Sequence, residues 1–138
     1  MRVLLWKMQK VKYKKAKKTL EKDYSNSDDS MEIDGDIIMV FINVEKEDEE
    51  TVDSKITKLV KNIKWFGNKN GCNNVLLHSF AHLSSSKSEP DTAKYVLDKA
   101  EERLKNVDYQ VSQTPFGYLL DIELSSKGEA LTRFFKEF

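Results

Sequence analysis

Few residues of this 138-residue chain can do chemistry. Its two histidines, His78 and His82, stand four positions apart. On one helix that spacing would suit zinc. Here Val75-Leu76-Leu77 reads as a strand, so one histidine falls at the strand's end and the other in the loop that follows. No third ligand stands nearby, and no metal site is expected. The single cysteine, Cys72, lies in a polar turn without a neighbouring histidine and reads as a bystander thiol. A Gly-rich phosphate loop, a G-x-S-x-G elbow and a C-x-x-C pair are all missing. His82 stands out because small residues, Ala81 and Ser84 to Ser86, flank it. Loops at strand ends are where open α/β sheets place their sites. By residue type alone His82 is either a structural histidine or a site histidine.

The elements that must position these residues follow from periodicity. Val3 to Trp6 predicts a first strand, and Val11 and Tyr13, alternating with lysines, a second, half-exposed one. Ser25 to Ser30 is polar and predicts a loop. Ile37 to Ile42 is continuously apolar and β-branched, which suits a central strand buried on both faces. Val52, Ile56, Leu59, Val60 and Ile63 recur at helical spacing, with Gly67 as the expected stop. Asn68 to Asn74 predicts a loop. A second helix is expected from Ser88-Glu89-Pro90-Asp91, with Ala93, Val96, Leu97, Ala100, Leu104 and Val107 as its buried stripe. A short strand at Tyr109 and Val111, a turn at Thr114 to Gly117 and a strand carrying Tyr118, Leu120, Ile122 and Leu124 complete the sheet. Leu131, Phe134, Phe135 and Phe138 predict a terminal amphipathic helix. The expected order, β-β-β-α-β-α-β-β-α, defines a single α/β domain with a mixed β-sheet covered by helices.

Composition excludes several classes. Hydrophobic residues make up 39% and charged residues 33%, as in a globular chain. No apolar run approaches the roughly 20 residues of a membrane span, and no signal peptide is visible. One cysteine allows no internal disulfide and fits a reducing cytosol, so a cytoplasmic location is expected. Net charge is zero but unevenly spread. Lys7 to Lys22 holds eight lysines and one acid, Glu21, while acids gather at Asp28 to Asp36 and Glu45 to Glu50. Such a basic stretch either meets phosphate or is a solvated edge strand in which lysine discourages sheet pairing.

Four segments carry a resemblance. Val40-Phe41-Ile42-Asn43-Val44-Glu45-Lys46, Phe80-Ala81-His82-Leu83-Ser84-Ser85, Thr114-Pro115-Phe116-Gly117-Tyr118 and Ser126-Lys127-Gly128 resemble, in order and spacing, the editing domain of archaeal threonyl-tRNA synthetase. The resemblance covers nearly the whole chain and is weakest over the first thirty-odd residues. It implies the fold of the D-aminoacyl-tRNA deacylases, a homodimer, and residues 1–138 as the N-terminal editing domain of a longer synthetase. The implied activity is hydrolysis of L-serine wrongly esterified to threonine tRNA, with the tRNA's 2′-hydroxyl taking part and no cofactor. Discrimination by one methyl is worth only about 1–3 kcal/mol, which is why a second pocket is useful. The implied partners are the serine-carrying 3′ end of threonine tRNA and the synthetase's catalytic body, with no membrane involved. His82 matches the active-site histidine; Phe80 and Ala81 would form wall and backbone around the seryl group; Val44 and Glu45 match the facing strand end; Phe116, Gly117 and Tyr118 match the loop enclosing the adenosine.

The chain departs from that pattern in three places. Leu119-Leu120 stands where the family shows tyrosine and an active-site lysine. Arg133 replaces a glutamate. Lys7-Met8-Gln9 replaces a His-Ser-Asp at the end of strand one. A cation lost at Leu120 would be restored if Lys7 supplied it from a neighbouring strand, so Lys7 is a candidate catalytic residue beside His82. Three rival readings remain: a D-aminoacyl-tRNA deacylase on the same fold, a tRNA-binding module without turnover, and an α/β interaction domain that does neither.

Overall fold

In the computed structural model, which describes residues 1–24 and 27–138, the predicted first two strands are one. β1 runs from Arg2 to Lys18, 17 residues, with register irregularities at Met8/Lys10 and Lys15/Lys17. Such bulges bend and twist a strand without ending it. β2 (Ser30–Asn43) pairs antiparallel along β1. The loop expected over Ser25 to Ser30 lies partly outside the described residues, and Ser30 already belongs to β2. A 3-10 turn, Lys46–Thr51, leads into α1 (Val52–Asn70), followed by β3 (Asn74–Ser79), α2 (Pro90–Lys105), β4 (Gln110–Gln113), β5 (Tyr118–Ser125) and β6 (Arg133–Glu137).

The sheet order is β4-β3-β2-β1-β5, and β6 also pairs with β1. β2, β3 and β4 are parallel, while β5 and β6 run antiparallel to β1. The result is a single-domain α/β fold with a curled mixed sheet and two helices. As expected, Ile37 to Ile42 of β2 are buried on both faces of the sheet. Ile38, Val40 and Ile42 pack with Ile56, Leu59 and Ile63 of α1 and Val96, Leu97, Ala100 and Leu104 of α2. Ile37, Met39 and Phe41 join Met8, Val11, Tyr13 and Leu76 in a second cluster on the opposite face. Fully burying an aliphatic side chain contributes about 1.5–3 kcal/mol, so these two layers hold β2 rigidly and fix where its end emerges.

The predicted terminal helix is instead a strand. β6 pairs in register with β1 from Arg2↔Glu137 to Trp6↔Arg133. The physical reason is the edge of β1. Its second half, from Lys10 to Lys18, is paired with β5, which leaves the first half one row of backbone groups to satisfy. Phe134 then packs on the α1 side of the sheet, while Phe135 is half exposed. Helical spacing of the aromatics was outweighed by tertiary pairing. Val107, expected in the buried stripe of α2, lies beyond the helix end and is exposed.

Gly67 does not stop α1, which continues to Asn70 and is capped by Gly71. Gly67 instead permits a close approach: a Cβ there would lie 2.6 Å from the Tyr109 hydroxyl and 2.8 Å from the Cys72 carbonyl oxygen. Gly67→Ala is expected to destabilise the chain by roughly 1–3 kcal/mol through this overpacking, read as a lower urea midpoint with unchanged m-value.

Candidate functional site

β2 ends at Asn43, and the loop from Phe80 to Ser88 is stitched across that end. The Phe80 and Ser88 amides donate to the Ile42 and Val44 carbonyls, both at 2.8 Å. The buried Asn43 amide accepts from the Leu83 N–H at 3.0 Å and donates to the Ser86 carbonyl at 3.1 Å. Beyond Val44, Glu45 is almost fully buried and spent on fixing the same loop. Its Oε2 accepts from the Ser84 hydroxyl at 2.8 Å, and its Oε1 lies 3.0 Å from the Met1 ammonium. Burial pushes the Glu45 carboxyl up. The Ser84 hydrogen bond, the Met1 ammonium and Arg2 outweigh that and hold it below the usual carboxylate range.

The stitched loop forms one wall of a cleft of about 370 Å³. Val44 and Ala81 line it on one side, Ser88 to Pro90 at the start of α2 on another, and the turn Thr114 to Tyr118 on a third. Gly117 has φ +84°, in the left-handed region that favours glycine. Its carbonyl accepts from the Thr19 N–H at 2.8 Å, so the turn is closed against Thr19-Leu20, which also line the cleft. Phe116 is buried behind the turn and meets the Tyr24 ring edge-on at 5.0 Å.

The sequence-predicted residues therefore separate. Val44, Ala81, Phe116, Gly117 and Tyr118 come together at the cleft. Glu45 stands just behind Val44 as a positioning group. The Phe80 ring points to the opposite sheet face, edge-on to Phe41 at 5.2 Å, and Phe80 does not line the cleft, while its neighbours Ser79 and Ala81 do. His82 follows Ala81, is exposed, and rests against the Phe80 ring at 5.0 Å. Among the described residues its imidazole nitrogens have no hydrogen-bond partner. Lys7 is not brought here. It pairs opposite Ile38, and its ammonium lies 3.5 Å from Asp36 in a separate cavity with Gln9, Lys127 and Thr132. β5 pairs only with the second half of β1, so the lysine opposite Leu120 is Lys15. Lys15 bonds Asp29 at 2.9 Å and sits over the Tyr118 ring at 4.1 Å. Arg133 sits over the Trp6 ring at 5.4 Å.

Two site residues escaped sequence reasoning. Asn43 is one; a polar residue closing an otherwise apolar strand was the available signal. His78 is the other. It lines the cleft region, and its Nδ1 is 2.8 Å from the Thr114 hydroxyl, which ties β3 to the Thr114 turn. Burial, with a smaller contribution from His82, lowers its pKa to about 4, so it is neutral at physiological pH. Among the described residues no three His, Cys, Asp or Glu side chains gather as a metal site requires, and no helix is long and apolar enough to cross a membrane.

The solved structure of the c-Myc DNA Unwinding Element Binding Protein superposes with a TM-score of 0.69 and 13% identity, covering 100% of this chain and 99% of the other. At that identity the likeness concerns the fold alone. The shared architecture is a single α/β domain built on a curled mixed sheet. The chain belongs to the archaea-specific editing-domain family of threonyl-tRNA synthetase, whose model matches residues 1–138. Threonine–tRNA ligases of Methanosphaera stadtmanae and Thermococcus sibiricus are 38% and 36% identical to it, over 96% and 95% of this chain. That of Methanococcus aeolicus is 42% identical over 69% of it. The chain spans about a fifth of the length of the first two relatives, 22% and 21%.

The neutral state of His78 makes stability depend on pH. Between pH 6.5 and about 4 the unfolded chain binds a proton that the folded chain refuses. Stability is therefore expected to fall as pH drops through that window, by on the order of 2–3 kcal/mol from this group. Urea unfolding at pH 7 and pH 5 reads it, and His78→Gln should flatten the dependence.

Proposed function

We propose that the cleft hydrolyses the ester of L-serine on threonine tRNA, the proofreading reaction that membership of this family implies in general. The observation that carries the reading is the convergence, at one strand end, of Val44 and Ala81 with the closed turn at Thr114 to Tyr118. Among the residues named at the cleft is no activated serine or cysteine nucleophile. The chemistry that suits such a site is attack by a held water on the ester carbonyl, with the carbon–oxygen bond to the ribose breaking and the proton passing to the leaving ribose oxygen. The tRNA 2′-hydroxyl beside that oxygen assists. Positioning and stabilisation of the developing oxyanion do most of the work. His82 does not line the cleft and rests on the Phe80 ring, so in this scheme it acts on the terminal ribose and the water from outside the lining, next to Ala81. Lys7, paired with Asp36 in its own cavity, has no step in this scheme.

Serine and threonine differ by one methyl, and a rigid wall excludes a larger group more sharply than it favours a smaller one. The stitched loop is that wall. The proposed partners are the 3′ end of threonine tRNA, the synthetase body and a second copy of the chain. Exposed Ile122 and Leu124, on one face of β5, supply apolar surface for the last of these.

Deacylation of L-seryl- and L-threonyl-tRNA side by side tests the reading. Seryl-tRNA should be hydrolysed at least about tenfold faster. His82→Ala should lower kcat by roughly tenfold to a hundredfold. Equal rates for the two esters, or preference for a D-aminoacyl ester, would overturn the assignment. An undiminished His82→Ala rate would remove His82 from the mechanism.

A further inference from the structure

On the outer side of α1 the lysines differ from those elsewhere in the fold. From Ser54 to Asn70 the helix carries Lys55, Lys58, Lys61, Lys64 and Lys69 and no acid. Lys55 is paired with Asp48. Lys58 and Lys61 have no carboxylate partner among the described residues, whereas Lys94, Lys99 and Lys105 of α2 each have one. Lys58 and Lys61, together with Lys136 of β6, line a groove of about 410 Å³ with Asn62, Trp65 and Phe138. Lys136 is likewise unpaired, and its neighbour Glu137 is turned to Arg2 at 3.2 Å. At the groove's floor Trp65 lies 4.9 Å from the Phe134 ring yet stays 42% exposed, with its indole N–H unpartnered. A large exposed indole among unneutralised cations is the composition of a nucleic-acid contact: cations for phosphate, an aromatic face and an N–H for the sugar–phosphate edge.

The groove also has a defined relation to the cleft. Lys136 is opposite Val3 across β6 and β1, and Val3 is opposite Ile42 across β1 and β2. Ile42 lines the cleft. Two strand spacings, roughly 10 Å, therefore separate Lys136 from the cleft wall. We propose that this groove holds the phosphodiester backbone of the tRNA stem whose 3′ end enters the cleft, with Lys58, Lys61 and Lys136 contacting phosphates and Trp65 packing beside them. This rests on the tRNA reading of the cleft.

The test is a Lys58→Ala/Lys61→Ala/Lys136→Ala triple variant, all three side chains being exposed. Affinity for uncharged threonine tRNA, measured by fluorescence anisotropy over a KCl series, should lose about 2 to 3 from the slope of log K against log salt. KM for L-seryl-tRNA should rise roughly tenfold or more with kcat within about twofold, while the seryl ester of a short CCA oligonucleotide is hydrolysed unchanged. An unchanged salt slope and KM overturn the proposal. So does an equal loss on the short ester, which would mean that the substitutions act on the cleft. Loss of self-association by light scattering with tRNA affinity intact would make the groove a protein contact and also overturn it. If the unaltered chain hydrolyses neither ester, the catalytic reading fails, and the salt slope alone decides the groove.

Discussion

The side chain of Asn43 is fully buried at the last residue of β2, and its amide is spent on the loop that carries Ala81 and His82. A buried amide left unpaired costs about 1–3 kcal/mol per group. The loop is therefore held to the strand end by backbone bonds from Phe80 and Ser88 and, between them, by this side chain together with Glu45. β2 in turn is rigid because hydrophobic layers cover both of its faces. The proposed discrimination of one methyl group needs such support, since a wall that yields by a fraction of an ångström stops discriminating.

Electrostatics reinforce the same joint. The Met1 ammonium lies between Glu45 at 3.0 Å and Asp48 at 2.8 Å, and its third donor reaches the Phe138 carbonyl at 2.7 Å. Glu45 then has one oxygen left for Ser84. Charges buried in this way are costly unless fully paired. Here pairing ties β1, the end of β2, the 3-10 turn and the Ser84 loop into one cluster. The cleft's opposite wall is closed differently, by Thr19 bonding Gly117 and by neutral His78 bonding Thr114. One wall depends on buried charge and the other on neutral hydrogen bonds.

Much of this was legible in residue order. The continuous apolar run at Ile37 to Ile42 marked the doubly buried strand, and helical spacing marked both helices. Ala81, Phe116 and Gly117 were placed by segments whose order resembles a known family. Side-chain direction was not legible. Phe80 lies just beyond the end of β3, where its ring joins the second core, while the next residue, Ala81, lines the cleft.

Local pattern by itself determined the class of fold, the central strand and the two helices, because each is written in burial periodicity; the segments that build the cleft were marked by their resemblance to a known family. Tertiary structure decided what depends on register and edges. It made β6 a strand, because the first half of β1 had an edge to satisfy. It joined two expected strands into one, because bulges let β1 bend while staying paired. It placed Lys7 beside Asp36 and away from the cleft, because the β1–β2 register sets Lys7 opposite Ile38 while Val3 is opposite the cleft residue Ile42. And it gathered Lys58, Lys61, Trp65 and Lys136 around one groove, a neighbourhood that no stretch of sequence contains.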